Sequence, residues 1–248
     1  MLEDTLVEED IHPVYRSASR THAGRVRSNN QDSFVERSRA GIWAVADGMG
    51  GHRDGDVASR MVCAAIEEMA EGATLDTNVD ELQRRMSQVN SRLYAAALRP
   101  VDPVQSGSTV VAMLVQRTAC AILWAGDSRV YRLRHERLVQ LTRDHTWAAQ
   151  MLPEFDSFDN ELAEEADHAI TRAVGGEASL QLEVRLERVQ LGDRYLLCSD
   201  GLTHELPAAQ IAMLLAQGDI EASAQALLEV TLDAGARDNV TVIVVEAN

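Results

Sequence analysis

Five apolar segments of this 248-residue chain begin or end at an aspartate, and this regularity limits how the chain can fold. The segments are DSFVERS (Asp32), GIWAVAD (Asp47), AILWAGD (Asp127), YLLCSD (Asp200) and ARDNVTVIVV (Asp238). They are short, rich in β-branched and aromatic residues, and bounded by turn-forming residues, which is typical of strands. Because strand ends gather at the rim of a sandwich, we expect carboxylates that are remote in sequence to meet there.

Helical patterns lie between the groups of strands. Apolar residues recur at helical spacing over 56–72, where Gly72 supplies a stop signal, and a second helix is predicted over 80–100. Two more helices, 207–219 and 220–235, precede the final strand. Strands in groups with helices paired between them, and no internal repeat, predict one compact α+β domain.

Two stretches differ from this pattern. Residues 1–13 are charged, which predicts a flexible acidic arm before a domain over 14–248. Residues 145–170 are acidic and lack strand signals, so an inserted flap is predicted there. We expect all three tryptophans to lie in the core: Trp43, Trp124 and Trp147.

The net charge of −16, from 39 acidic and 23 basic residues, disfavours binding to nucleic acid or to an anionic membrane. It does not exclude a phosphorylated substrate. Three widely spaced cysteines in apolar surroundings indicate reduced thiols rather than disulfides. No apolar run approaches the roughly 18 residues that span a bilayer, and the acidic N-terminus does not resemble a signal peptide. These features predict a cytoplasmic protein with no membrane or nucleic-acid partner.

The aspartates allow two interpretations. An Asp beside a Gly at a strand end is commonly a turn residue. Alternatively, carboxylates that converge at a rim repel one another unless protons or cations neutralise them, and oxygen ligands favour Mg²⁺ or Mn²⁺. After Asp47 the chain continues GMGGH, and glycine allows the backbone to approach a ligand closely.

Eight segments, in order, closely resemble the bacterial PP2C-type (PPM) metal-dependent Ser/Thr protein phosphatases. They are GRVRSNNQDSF, VADGMGGH, SGSTVV, WAGDSRVYRL, LTRDH, ITRAVGG, LLCSDGL and ARDNVTVIVV. The resemblance covers nearly everything from residue 16 to 246. It implies a four-layer α-β-β-α sandwich of two antiparallel sheets flanked by helix pairs, with metal ions at one rim.

The resemblance also implies ligands for two Mn²⁺ or Mg²⁺ ions. Asp47 is similar to the carboxylate that bridges them, and Gly48 to the residue whose carbonyl holds the second ion. Asp200 and Asp238 correspond to the other ligands of the first ion. Asp32 corresponds to the residue that holds the second ion through its waters.

Two further roles and two departures follow from the same resemblance. Asp127 is similar to the aspartate that, with Asp200, holds a third, weaker ion in bacterial members. Arg27 corresponds to the arginine that grips the substrate phosphate, so Arg27 and Asp47 are the catalytic candidates. Gln31 replaces a common Glu, which removes a charge near the second ion. Met49 stands where eukaryotic members carry a histidine, so no general acid can be assigned.

The implied reaction is direct hydrolysis of phosphoserine and phosphothreonine esters by a metal-bridging water, in an enzyme that opposes a bacterial Ser/Thr kinase. Its partners would be phosphorylated proteins of that kinase pathway. The absence of any C-x5-R loop agrees with a mechanism that has no phosphoenzyme. The alternatives are a catalytically silent regulatory or phosphoprotein-binding module on the same fold, and a two-metal hydrolase of another phosphoester. The presence of every expected aspartate disfavours the first, and the negative charge disfavours a nucleic-acid substrate.

Overall fold

Two antiparallel β-sheets packed face to face form the centre of the computed structural model, which describes residues 13–50, 55–100, 106–151 and 169–248. The strands are β1 (Tyr15–His22), β2 (Asp32–Arg37), β3 (Ile42–Gly50), β4 (Ser106–Ser108), β5 (Val110–Gln116), β6 (Ala119–Ala125), β7 (Arg129–Arg134), β8 (Arg137–Gln140), β9 (Glu183–Arg188), β10 (Arg194–Cys198) and β11 (Val240–Ala247). The first sheet has the order β1-β11-β10-β7-β8. The second has the order β2-β3-β5-β6-β9, with β4 paired to β3.

Six helices accompany the two sheets in the described ranges. They are α1 (Gly55–Glu67), α2 (Leu75–Ala97), α3 (Trp147–Met151), α4 (Asp200–Thr203), α5 (Ala208–Ala216) and α6 (Ile220–Ala234), with a 3-10 turn at Ser38–Ala40. Helices α1 and α2 pack on the second sheet, and α5 and α6 pack on the first. This arrangement confirms the predicted α-β-β-α sandwich.

Three apolar layers explain why the central strands are almost continuously apolar. In β3, Ala44 and Ala46 face the layer beneath α1 and α2, whereas Trp43 and Val45 face the layer between the sheets. Successive side chains of a strand point to opposite faces, so a strand that is covered on both sides needs apolar residues at every position. Tyr195 on β10 meets Trp43 in the same inter-sheet layer.

The strand register brings the five aspartates to one rim. Asp32 at the start of β2 is paired with Asp47 near the end of β3. In the other sheet Cys198 is paired with both Val242 and Arg129, so the end of β10 lies beside the starts of β11 and β7. Asp200 and Asp238 flank these positions, and Asp127 lies in the link by which the chain passes from β6 in one sheet to β7 in the other.

Two helix boundaries differ from the predicted ones. Helix α1 ends at Glu67, five residues before Gly72, and the Gly72 backbone N–H instead donates to Asn78 Oδ1 at 2.7 Å. Helix α2 begins at Leu75, five residues before residue 80. Thr74 caps it, because its Oγ1 accepts from the Thr77 N–H while Thr77 reaches back to the Thr74 N–H. This capping box was not predicted from the sequence.

The remaining structural predictions concern the N-terminal arm, the flap and the three tryptophans. Residues 1–12 of the predicted arm and 152–168 of the predicted flap lie outside the described residues. Trp43 and Trp124 are buried as expected, but the prediction for Trp147 is wrong, since 51% of its surface is exposed. Trp147 begins the short helix α3, whereas Trp43 and Trp124 lie within the buried strands β3 and β6. Within the described ranges no helix has both the length and the apolarity to cross a bilayer.

Two leucines of the second sheet provide a test of the packing. Leu123 in β6 is fully buried beneath the helices, and Leu186 in β9 is 67% exposed. We expect Leu123→Ala to lower the free energy of unfolding by about 3 kcal/mol, because it leaves a cavity among fixed neighbours. Leu186→Ala should change it by less than about 0.5 kcal/mol. Urea unfolding of the two variants measures both values, and equal losses would contradict the layer assignment.

Candidate metal centre

Asp47 lies among three other acidic side chains at the rim. Burial raises the pKa of its carboxyl, and the carboxyl groups of Asp32, Asp200 and Asp127 raise it further. The structure therefore brings together side chains from both sheets, as the strand-end pattern predicts.

Asp32 is held by hydroxyl groups from the opposite sheet. Its Oδ2 accepts from Ser199 Oγ at 2.8 Å and from Thr241 Oγ1 at 2.7 Å. Its Oδ1 is buried and has no hydrogen-bond partner among the described residues. Neither hydroxyl residue was predicted from the sequence. Ser199 lies directly before Asp200 in the motif CSD, and Thr241 lies three residues after Asp238 in DNVT.

The backbone around Asp47 is fixed on both sides. The Asp47 N–H donates to Thr109 Oγ1 at 3.0 Å, and the Thr109 N–H donates to the Asp47 carbonyl at 2.8 Å. The Gly48 N–H donates to the carbonyl of Gln31 at 3.1 Å. A Cβ on Gly48 would overlap the carbonyl oxygen of Gly55 at the start of α1. Glycine is therefore required at position 48 because the start of α1 approaches its backbone closely.

Asp238 and Arg27 form a two-pronged ion pair. Arg27 Nε lies 3.0 Å from Asp238 Oδ1, and an Arg27 terminal nitrogen lies 2.7 Å from Oδ2. The predicted phosphate-gripping side chain thus reaches the rim, with 58% of it exposed, but it is bound to a predicted metal ligand. In the described ranges no three His, Cys, Asp or Glu side chains converge as a closed metal site. The pairing of Asp238 with Arg27 is consistent with that finding.

Burial and neighbouring carboxyl groups raise the pKa values of these side chains. The pKa of Asp32 is raised to about 7, mainly by burial and also by Asp200 and Asp238, although the hydrogen bonds from Thr241 and Ser199 lower it. Burial also raises the pKa of Asp127 to about 8, with a contribution from Asp200. The pKa of Asp47 is well above its usual value, first through burial and then through Asp32. The pKa of Asp200 is raised mainly by burial.

The unpaired oxygen atoms show what this rim can accept. Oδ1 of Asp32, Asp127 and Asp200 is buried, and none has a hydrogen-bond partner in the part of the chain that the structure describes. Oδ1 of Asp56, at the start of α1, is a fourth such atom that sequence reasoning did not single out. Buried carboxylate oxygens without donors need a proton or a cation. A set made only of oxygens fits the hard cations Mg²⁺ and Mn²⁺.

A comparison with known protein families gives a match over most of the chain. A family model described as protein phosphatase 2C matches residues 20–238. The serine/threonine phosphatase stp of Listeria innocua is 32% identical over an alignment of 238 positions, which covers 92% of this chain and 94% of that protein.

Two solved structures are similar along almost their whole length. PppA, described as a key regulatory component of T6SS in Pseudomonas aeruginosa, is 36% identical with a TM-score of 0.86, over 96% of this chain and 99% of that chain. The catalytic domain of the serine/threonine protein phosphatase PstP, in complex with two manganese ions, is 33% identical with a TM-score of 0.83, over 95% of this chain and 99% of that one.

The raised pKa values predict how stability depends on pH when a chelator is present. Asp32 and Asp127 hold protons in the folded chain up to about pH 7 and 8, whereas unfolded aspartates release them near pH 4. The folded state therefore binds more protons over this range, and the free energy of unfolding should fall as the pH rises from about 4 to about 8. Urea unfolding in EDTA at several pH values measures the slope.

A neutral replacement and added metal provide the controls. Asp127→Asn should reduce the slope and be more stable than the wild-type protein at pH 8 in EDTA. Millimolar Mn²⁺ should raise the melting temperature of the wild-type protein more at pH 8 than at pH 6, because the cation competes with protons for the carboxylates. A wild-type melting temperature that Mn²⁺ leaves unchanged at both pH values would contradict the metal centre.

Proposed function

The chain belongs to the protein phosphatase 2C family and is a protein serine/threonine phosphatase, and on this basis we propose that it hydrolyses phosphoserine and phosphothreonine esters directly with water, without a phosphoenzyme. The observation that carries the proposal is the group of buried carboxylate oxygens without donors, from Asp32, Asp127 and Asp200, at one rim of the sandwich. Such a group suits a site whose charge is balanced by cations.

The proposed ligands are those that the family resemblance implies, and the position of these side chains at one rim supports them. Asp47, between Asp32 and Asp200, would bridge two Mn²⁺ or Mg²⁺ ions. Asp200 and Asp238 would complete the first site, and the Gly48 carbonyl would contribute to the second. When bound, two such cations activate water for attack on phosphorus and neutralise charge on the phosphoryl oxygens.

Asp32 and Asp127 have supporting parts in this proposal. Asp32 would act on the second ion through water, and Ser199 and Thr241 fix the orientation of its carboxylate. Asp127 and Asp200 would hold a third, weaker ion. Asp127 is suited to this because it is buried at the link between the sheets.

Arg27 is proposed to bind the phosphate group of the substrate. Its guanidinium presents a planar fork of donors, which matches a phosphate as well as it matches the Asp238 carboxylate. Because the side chain is largely exposed, it can turn from Asp238 to a phosphate without opening the core. The same movement would release Oδ2 of Asp238 for a cation, whereas Oδ1 would still accept from the Asn239 N–H at 2.8 Å.

The wider setting is proposed from the family and the composition. The substrates would be phosphorylated proteins of a bacterial Ser/Thr kinase pathway, with residues 14–248 acting as one catalytic domain. The three cysteines are free and buried, which supports the expectation of a cytoplasmic enzyme.

Phosphate release from a phosphothreonine peptide tests the proposal. Wild-type protein with Mn²⁺ should release phosphate, and EDTA should abolish the release. Asp47→Asn preserves the size of the side chain but removes the charge of the proposed bridging ligand, so we expect its rate to fall by at least roughly 10²-fold. Release by neither protein, with binding of Mn²⁺ demonstrated, would favour the silent regulatory module. Release from another phosphoester alone would identify a different substrate class.

A pair of arginines tests the phosphate-binding role. Arg27→Ala should lower kcat/KM by roughly 10²-fold, because a charged donor to the phosphate is lost in the transition state. Arg25 is the matched control, since its Nε donates to the carbonyl of Leu232 and it faces Asp233. Arg25→Ala should keep kcat/KM within about threefold of wild type. Equal kinetics for Arg27→Ala and wild type would rule out the assigned role.

A further inference from the structure

We propose that His145 is a positioning residue for Asp127, and that it sets the affinity of the weaker ion site by fixing the turn that carries this carboxylate. The inference rests on the proposed function of the rim. His145 is 4% exposed and is not among the predicted ligands. It acts through the backbone of Gly126, the residue that precedes Asp127.

The turn at Gly126 has a shape that its own residues do not secure. Gly126 has a φ of +113°, a conformation that residues with a Cβ rarely adopt. A Cβ there would also lie 2.6 Å from Cγ2 of Thr109. Glycine permits this turn but does not select it, because glycine reaches many other conformations equally well. Some other group must hold the turn.

His145 provides two hydrogen bonds to the same residue. Its backbone N–H donates to the Gly126 carbonyl at 2.9 Å. Its ring Nδ1 accepts from the Gly126 N–H at 3.1 Å. Both polar groups of one peptide residue are thus tied to one histidine, and the orientation of the next residue, Asp127, follows from this pairing.

The environment of the ring selects the tautomer that this bond requires. Because Nδ1 accepts, Nε2 carries the hydrogen and donates to Glu183 Oε1 at 2.9 Å. One terminal nitrogen of Arg172 lies 3.4 Å from the same carboxylate oxygen and 3.1 Å from Nε2, which cannot accept from it while Nε2 carries the hydrogen. The ring stacks on Trp124 with 6.2 Å between centroids and 12° between planes. Burial lowers the pKa of His145, which favours the neutral ring.

His145 also joins the described ends of the predicted flap. Its carbonyl accepts from the Thr171 N–H at 2.7 Å. The next residue, Thr146, forms an isolated bridge with Ile170. The turn that carries Asp127 and the two described chain segments on either side of 152–168 therefore share one anchor.

Three variants separate the two ring contacts. His145→Asn keeps an acceptor at the position of Nδ1, so it can retain the bond to Gly126. His145→Gln places its amide at the position of Nε2, so it can reach Glu183 but not Gly126. Asp127→Asn removes the carboxylate charge itself. Calorimetric titration of the metal-free full chain with Mn²⁺ counts the ions and gives their affinities.

We expect Asp127→Asn to lose the weaker site and His145→Gln to weaken it by about 10- to 100-fold, the usual effect of removing a partner that orients a ligand. The tighter sites should be unchanged, and His145→Asn should stay within about threefold of wild type throughout. As a second readout, His145→Gln should need correspondingly more Mn²⁺ for half-maximal phosphate release, with the wild-type maximal rate recovered at saturation.

Other results would overturn the inference. These are a weaker site in His145→Gln equal to that of wild type, a loss of affinity shared by all sites, or an unchanged ion count in Asp127→Asn. If His145→Gln does not fold, Glu183→Ala at the partly exposed end of the contact replaces it, with the weaker site expected to lose at least about threefold. If the expected metal pattern is found but wild type releases no phosphate, the proposed function fails and the positioning role stands.

Discussion

The repulsion between acidic side chains at one rim is the constraint on which the rest of the structure depends. Asp32, Asp127 and Asp200 are close enough to Asp47 to raise its pKa, and Asp200 also raises the pKa values of Asp32 and Asp127. A loosely packed chain would relieve this repulsion by letting the strands separate. The three apolar layers prevent that, because any displacement of a strand end would expose residues buried on both faces of the sheet. The unfavourable charge arrangement is therefore maintained by the favourable burial elsewhere.

The same constraint explains the polar residues around the carboxylates. Ser199 and Thr241 place Asp32 by donating hydroxyl hydrogens, and such donors stabilise the charged form without adding a counter-charge. Arg27 does add one, but on an exposed side chain at the edge of the group. The hydroxyl donors are neutral, and the guanidinium of Arg27 lies at the edge of the group. The centre of the rim is therefore suited to small cations.

How much the sequence could predict depended on how local each signal was. The aspartates at strand ends could be recognised because each follows or precedes an apolar run, and the family resemblance assigned them roles that stay predictions here. The pairing of Asp32 with Asp47 is a matter of register, which no local pattern specifies. Thr74, Thr109 and Ser199 could not be singled out, because one hydroxyl residue in a strand or turn is equally suited to solvent, a cap or a buried hydrogen bond. His145 was part of a quoted motif, but its role depends on a turn nineteen residues earlier.

The pairing of β1 with β11 has a consequence for synthesis on the ribosome. Tyr15 is paired with Ala247, so the backbone N–H and C=O groups of β1 find their partners in this sheet only after β11 has been synthesised. Asp238 likewise precedes the final strand. The second sheet, from β2 to β6, can form from a continuous stretch of nascent chain, whereas the first sheet and the rim cannot. A ribosome-bound fragment that stops short of β11 would carry an open strand edge and would lack Thr241, one of the two hydroxyl donors that place Asp32, so the rim is completed only after β11 is made.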